Sequence, residues 1–219
     1  MIQNIGDIDL FYTVCGNGSP LLLVHGNGED HTIFEEAIEV LKEHFTCYAI
    51  DSRGHGQSSP VEEYHYEDMA SDIVAFLDAL GLENVTFYGF SDGGIVGLLA
   101  APQTPRITRL IVSGANTKPD KVVLWLRLLI AFHSLVKKNP LMTLMRKEPD
   151  ISDAWLSKIT VPTLVLAGEK DLIKESESRH IAAAIPGADL KILPGEDHGS
   201  YIVHSTKIAQ EILSWGRDR

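Results

Sequence analysis

Short apolar runs alternate with segments of helical spacing along most of the chain. The apolar runs occupy residues 21–24, 45–50, 84–88, 107–112, 161–167 and 190–193. Runs with little polar alternation are typical of strands covered on both faces, as in a parallel sheet between layers of helices. Residues 8–14 alternate and lead into a turn at 16–20, which predicts an early antiparallel strand. The pattern therefore predicts an α/β fold with a mostly parallel central sheet flanked by helices.

Apolar residues at helical spacing predict helices between and after these strands. They recur at this spacing in residues 33–41 and again in residues 69–80, where Gly81 is placed to end the helix. A third amphipathic stretch covers residues 205–215. Each predicted helix is long enough to cover part of a sheet face.

Residues 115–159 interrupt the alternation of strands and helices. They contain one long apolar helical stretch at 122–136 and a shorter one at 141–146. We predict that residues 1–114 and 160–219 form a single α/β core, and that 115–159 is a short helical cap inserted into the same domain. An insertion at this point of the chain would lie over an active site as a lid.

The segment 86–97 carries the strongest chemical signal in the sequence. It reads as an apolar strand, a tight turn with Ser91 at its apex and a helix of small residues. Gly89 and Gly93 stand two residues before and two residues after the serine, as in a nucleophile elbow, where a strand and a helix approach closely. We predict that Ser91 is a nucleophile.

A serine hydroxyl needs a general base, and the base needs a third group that fixes its tautomer. Asp171 follows a late predicted strand, and His198 follows the last one, so both fall at the carboxyl edge of the sheet. We predict that Asp171 and His198 complete a triad with Ser91. Glu169 is the alternative acid, and His204 is the alternative histidine.

Acyl transfer also needs two N–H donors aimed at the developing oxyanion. The backbone N–H of Asp92, the residue after the serine, is the first candidate. The second is the backbone N–H of Asn27, in a glycine-flanked turn after the strand at 21–24. We interpret His25, in the same turn, as a structural hydrogen bonder rather than a base.

Charge and composition exclude several classes of partner. The net charge of −11 argues against nucleic acid, which requires clustered Lys and Arg. The apolar stretch 122–136 has 15 residues and includes Arg127, whereas a membrane span needs about 20 apolar residues, so we expect no membrane partner. The N-terminal residues lack a basic region before an apolar run, which favours a reducing cytoplasmic location with Cys15 and Cys47 as buried thiols.

Together these motifs resemble the α/β-hydrolase superfamily. The resemblance covers nearly the whole chain, because five motifs occur in the family's order: His25-Gly26, the loop 51–58, the elbow at Ser91, residues 168–171 and residues 195–198. The elbow, residues 113–116 and residues 168–171 look most like the valacyclovir-hydrolase type of amino-acid ester hydrolase. The loop 51–58 resembles a rigid family landmark rather than a chemical group.

The resemblance implies a serine hydrolase that cleaves small carboxylic esters through an acyl-enzyme, without a cofactor or a metal. Carbon–carbon bond or lactone hydrolysis on the same triad is an alternative, as is a ligand-binding homologue without turnover. The cap is shorter than is common among relatives. A second copy of the chain is a candidate to cover the surface that such a cap leaves open.

Two interpretations stay open for the residues around the serine. Asp92 either stabilises the first turn of its helix through the helix dipole, or receives a cationic group of the substrate, as the resemblance implies. The apolar side chains of the cap either pack on the sheet or line the substrate site. For the second case we expect Phe90, Trp125 and Leu129 to contact the substrate.

Overall fold

The computed structural model describes residues 1–217, with side chains described as far as Trp215. Eight strands form one sheet: β1 Ile2–Asn4, β2 Asp9–Gly16, β3 Ser19–Val24, β4 Phe45–Ile50, β5 Val85–Phe90, β6 Ile107–Ser113, β7 Thr163–Lys170 and β8 Asp189–Asp197. Their order across the sheet is β1-β2-β4-β3-β5-β6-β7-β8. β2 runs antiparallel to both of its neighbours, and all pairings from β4 to β8 are parallel. The predicted α/β fold is confirmed.

Within residues 1–217, eight α-helices flank or cap this sheet. They are α1 Glu35–Leu41, α2 Tyr66–Ala79, α3 Asp92–Ala100, α4 Leu124–Leu135, α5 Pro140–Lys147, α6 Asp153–Leu156, α7 Glu175–Ala184 and α8 Lys207–Arg217. The sequence pattern gave no sign of β1, which is a three-residue edge strand, or of α7, which is mostly polar. The first turn of the predicted helix 33–41 is a 3-10 turn, His31–Phe34, that runs into α1.

The core has two layers because neighbouring residues of a buried strand point to opposite faces of the sheet. In β3, Leu22 and Val24 pack into the layer that contains α2, α3 and α7. Leu21 and Leu23 pack into the opposite layer, which contains α1 and α8. The sheet is thus covered on both faces, as its apolar strands predict.

The cap, which we define as residues 115–159, contains α4, α5 and α6. Ile130 of α4 and Leu144 of α5 are buried, whereas most of α4 is exposed. Leu156 of α6 is packed in the main core, so this last turn is joined to the sheet layers. The boundary between core and cap stays a prediction.

One expectation about the thiols is wrong. Cys47 is buried in the core, but Cys15 is exposed. Cys15 pairs with Cys47 across β2 and β4, near the end of β2, where three successive residues of the strand are exposed. No helix of the described residues is long and apolar enough to cross a membrane.

Candidate active site

Ser91 sits at the sharp turn between β5 and α3, with φ of 52° and ψ of −114°. A non-glycine residue in this region is strained, and such strain is characteristic of functional turns. A Cβ at Gly89 would lie 2.1 Å from the Gly93 carbonyl oxygen, and a Cβ at Gly93 would lie 2.1 Å from that of Val24. Both glycines are therefore required for the close approach that holds the turn.

The structure brings Ser91, His198 and Asp171 together in one hydrogen-bonded chain. His198 Nε2 lies 3.1 Å from Ser91 Oγ, and His198 Nδ1 lies 2.6 Å from Asp171 Oδ1. The side chain of Asp171 is 1% exposed and accepts further bonds from the Ile173 and Gly168 N–H groups. An ionised Asp171 accepts the Nδ1 proton of His198, so Nε2 is left to accept the serine proton.

The two alternative residues lie elsewhere. Glu169 accepts a hydrogen bond from the Gly195 N–H on the protein surface. His204 is exposed and pairs with Glu36 at 3.2 Å. Neither contacts the serine, so the geometry favours Asp171 and His198.

The loop after β3 places Asn27 beside Asp92, and both residues line the same cavity as Ser91. The N–H of Asn27 donates to no acceptor among residues 1–217. Asp92 is the first residue of α3, so its N–H has no acceptor within the helix. The two backbone donors that the sequence predicted are therefore available to a bound oxygen.

His25 stabilises the loop after β3 through hydrogen bonds. It is buried, its Nδ1 lies 2.8 Å from the Gly26 carbonyl oxygen, and its Nε2 accepts the Ser52 N–H at 3.0 Å. This pairing assigns the proton to Nδ1 and a neutral ring. Burial lowers the pKa of His25 to about 4. His25 thus has the structural role that the sequence suggested.

The side chain of Asp92 points away from the predicted oxyanion position. It is 5% exposed and accepts hydrogen bonds from Asn27 Nδ2 and from the Tyr66 hydroxyl, each at 2.9 Å. Burial raises the pKa of this carboxyl, and the two hydrogen bonds act in the opposite direction. Sequence reasoning missed Tyr66, because a tyrosine at the start of an amphipathic helix gives no sign of a bond to a residue 26 positions away.

The cavity above Ser91 has a volume of about 210 Å³. Its lining residues include three acidic ones, Glu29, Asp92 and Glu148, and neither Lys nor Arg among the described residues. Burial raises the pKa of Glu29, whose carboxylate accepts the Gly26 N–H at 2.9 Å. The cavity therefore combines three acidic residues with apolar side chains and several neutral polar ones.

The cap lines this cavity with a different face of α4 from the one we expected. Phe90 does line it, but Trp125 and Leu129 are 60% and 45% exposed on the outer side of the helix. Leu126 and Ile130 line the cavity in their place. The expectation for Trp125 and Leu129 is wrong because α4 is apolar on nearly every side, so its periodicity does not reveal which side faces inward.

The loop after β4 supports the site without contacting Ser91. Asp51 is fully buried and accepts hydrogen bonds from the His31 and Gln57 N–H groups, and from the His31 ring. A Cβ at Gly56 would lie 2.0 Å from the Asp51 carboxylate. The loop is the rigid turn that the sequence suggested.

The fold and the site identify a class of protein, and comparison with known families agrees. The family model described as alpha/beta hydrolase fold matches residues 19–138, more than half of the chain. The chain therefore belongs to the α/β-hydrolase family and is an enzyme of that class. The carboxyl ends of β5, β7 and β8 carry Ser91, Asp171 and His198 at the edge where this architecture binds ligands.

The chain is also similar to individual proteins of known class. Human serine hydrolase BPHL is 27% identical over 245 residues, which cover 95% of this chain and 84% of that protein. The 3-oxoadipate enol-lactonase 2 of Acinetobacter baylyi is 30% identical over 123 residues, 54% of this chain but only 46% of its own length. A thermophilic esterase from Thermogutta terrifontis has a TM-score of 0.80 at 25% identity, with 96% of this chain and 94% of that one covered.

Proposed function

We propose that this protein is a serine hydrolase that cleaves small carboxylic esters through an acyl-enzyme. The observation that carries the proposal is the continuous chain of hydrogen bonds from Ser91 through His198 to the buried Asp171. A ligand-binding protein without turnover has no need of a strained serine beside an oriented imidazole. The serine hydrolase BPHL and the Thermogutta esterase, by their names, point to the same chemistry.

The proposed reaction follows from the positions of these groups. Ser91 Oγ attacks the ester carbonyl while His198 Nε2 takes its proton, and Asp171 holds the resulting imidazolium. The N–H groups of Asn27 and Asp92 bind the oxyanion of the tetrahedral intermediate. His198 then protonates the departing alcohol, and a water molecule activated by the same imidazole releases the acid.

The lining of the cavity favours an ester whose acyl group carries a positive charge. Glu29, Asp92 and Glu148 line the space beside Ser91, and the described lining residues include neither Lys nor Arg. Glu148 pairs with His65 Nδ1 at 2.6 Å, so Glu29 and Asp92 are the acidic residues of the cavity without a basic partner among the described residues. An α-ammonium group would find carboxylate partners there, and an extra carboxylate would be repelled. We therefore propose amino-acyl esters as the preferred substrates within the ester class.

Lactone hydrolysis is the second candidate, because the enol-lactonase relative carries that activity in its name. The same triad would open a lactone, and fold alone does not distinguish the two reactions. The three carboxylates of the cavity argue against a lactone that bears an acidic group. A neutral lactone is the form of this alternative that the charge of the cavity allows.

The experiment compares alanine benzyl ester with benzyl isobutyrate, in which a methyl group replaces the ammonium. Release of benzyl alcohol would be measured by chromatography for the wild type, Ser91→Ala and Asp92→Asn. We expect Ser91→Ala to abolish both activities. We expect Asp92→Asn to lower kcat/KM for the alanine ester at least tenfold more than for the isobutyrate.

Two outcomes would contradict these proposals separately. Equal losses on the two esters in Asp92→Asn would remove the cationic substrate and leave the esterase. Failure of the wild type to hydrolyse either ester would remove the ester class. A neutral butyrolactone in the same assay then tests the lactonase alternative.

A further inference from the structure

The outer side of α4 exposes a continuous apolar surface. We call this surface the outer face of α4, and its members are Leu124, Trp125, Leu128, Leu129, Phe132, Leu135 and the adjoining Val136. Their exposed fractions run from 45% to 65%, and their spacing of three and four residues aligns them along one side of the helix. Leu126, Ile130 and Ser134 occupy the opposite, inward side. A concentration of this kind marks an interaction surface.

The charge around this face differs in sign from the rest of the chain. Residues 121–147 contain six Lys and Arg and no Asp or Glu, whereas all 30 acidic residues and the other 13 basic residues lie outside this segment. Four of its cations are exposed: Arg127, Lys137, Lys138 and Lys147. Lys138 and Lys147 line a groove that they share with Glu62, Glu63 and Glu148, whereas Arg127 lies on α4 itself and Lys137 just after it. None of these four lies within 4.0 Å of a carboxylate oxygen of residues 1–217.

We propose that the outer face of α4 docks onto an anionic lipid surface. A helix with Trp, Phe and Leu on one side and free Lys and Arg at its borders is the form that lies in the plane of a membrane interface. The apolar side chains would enter the boundary between headgroups and acyl chains, and the cations would face lipid phosphates. The sequence analysis predicts no membrane partner. That prediction uses the net charge and the length of the apolar stretch, and neither quantity reveals a basic segment within an acidic chain.

The charge of the segment argues against a second copy as the occupant. In a two-fold symmetric contact the same segment of both copies meets, and residues 121–147 contain no Asp or Glu that could pair with the cations of the other copy. An anionic lipid surface is complementary to the same charges. A lipid surface can also bind a single 12-residue helix, because the helix needs no complementary protein surface there.

Docking in this orientation would place the substrate cavity close to the lipid. Leu126 and Ile130 line the cavity from the same helix whose outer side carries Trp125 and Leu128. Substrates dissolved in the membrane would then have a short path to Ser91. The proposal does not depend on which ester the enzyme prefers.

The test is sedimentation of the full chain with phosphatidylcholine vesicles, with and without phosphatidylglycerol. We expect binding only to the anionic vesicles, and we expect added salt to weaken it. Replacing both Lys137 and Lys138 by Gln should weaken the partition about 25-fold, since each cation near such a surface contributes about fivefold. Lys158→Gln combined with Lys191→Gln removes the same charge at exposed positions outside the segment and is the matched control.

The apolar contribution is tested by Leu128→Ser combined with Phe132→Ser. Both side chains are exposed, so the variant should fold, and it should lose vesicle binding even with all cations present. Ile2→Ser, which is 66% exposed at the other end of the sheet, should bind as the wild type does. No binding to anionic vesicles would overturn the proposal, as would a dimer in light scattering that Leu128→Ser dissociates, since that would assign the face to a second copy.

Discussion

Gly114 lies against the imidazole of His198, so a single methyl group there should disturb the proposed triad without replacing any member of it. The residue follows β6 with φ of +60°, and its N–H donates to the Leu166 carbonyl. A Cβ at this position would lie 2.7 Å from His198 Cε1, whereas ordinary contact begins at 3.4 Å. In Gly114→Ala the ring must therefore move by about 0.7 Å.

Two costs of this substitution can be separated. The first is the left-handed backbone, which costs an alanine roughly 1–2 kcal/mol of stability. Gly81 carries the same cost, because its φ is +61°, but no atom lies within 4 Å of an added Cβ there. The second cost is the displacement of His198, which lowers catalysis because a shift of about 1 Å in a reacting group costs up to about 10²-fold in rate. Gly81→Ala is thus the matched control for Gly114→Ala.

We expect Gly114→Ala to lower kcat/KM by between about 10-fold and 10²-fold, with kcat carrying most of the loss. Gly81→Ala should keep the activity of the wild type. In urea, Gly114→Ala should show at least the fall in the free energy of unfolding that Gly81→Ala shows, because it adds the contact with His198 to the same backbone cost. Hydrolysis of the preferred benzyl ester gives the rates, and labelling of Ser91 by a fluorophosphonate gives a second reading. If Gly114→Ala is as active as Gly81→Ala, the contact with His198 does not position the ring.

Three further predictions concern the triad and the loop beneath it. Ser91→Ala should lose fluorophosphonate labelling and lower kcat by about 10⁶-fold, to the residual rate that substrate binding and an oxyanion hole alone support. Its thermal midpoint should stay near that of the wild type because the His198–Asp171 pair is retained. A loss of less than about 10³-fold in kcat would contradict the serine mechanism. Asp171→Asn should lower kcat by about 10⁴-fold, because an amide favours the wrong tautomer of His198; a loss under tenfold would make Asp171 a packing residue only. Burial lowers the pKa of His25 to about 4, whereas the unfolded value is 6.5, so the unfolded chain binds a proton more readily. Stability should therefore fall as the pH drops below 6.5, with His25 contributing about 2 kcal/mol of that loss at pH 5. Urea unfolding at pH 7 and pH 5 should show a larger loss, by about this amount, in the wild type than in His25→Gln; equal losses would contradict the role of His25.

The sheet could be predicted from the sequence because its strands are buried on both faces. The predicted strand at 45–50 coincides with β4, and the predicted strand at 107–112 differs from β6 by one residue. β1 and α7 were missed for a common reason. A three-residue edge strand and a polar helix bury too few residues to leave an apolar period.

The motifs of the site could also be predicted, but its electrostatics could not. The segments around Ser91, Asp171 and His198 could be recognised because a tight turn needs glycine and because the members of the proposed triad follow the ends of strands. The bonds of Asp92 with Tyr66 and Asn27, and the approach of Glu29 and Glu148 to the serine, arise from contacts between distant segments. Local sequence patterns contain no signal of such contacts.

The backbone at position 91 restricts which side chains could serve as the attacking group there. A φ of 52° is unfavourable for a β-branched residue, because its second substituent on Cβ is crowded by the main chain. Threonine offers the same hydroxyl as serine but does not suit this turn, whereas the unbranched cysteine and aspartate do. The backbone at position 91 therefore allows the serine hydroxyl to be replaced by a thiol or a carboxylate, but not by the secondary alcohol of threonine.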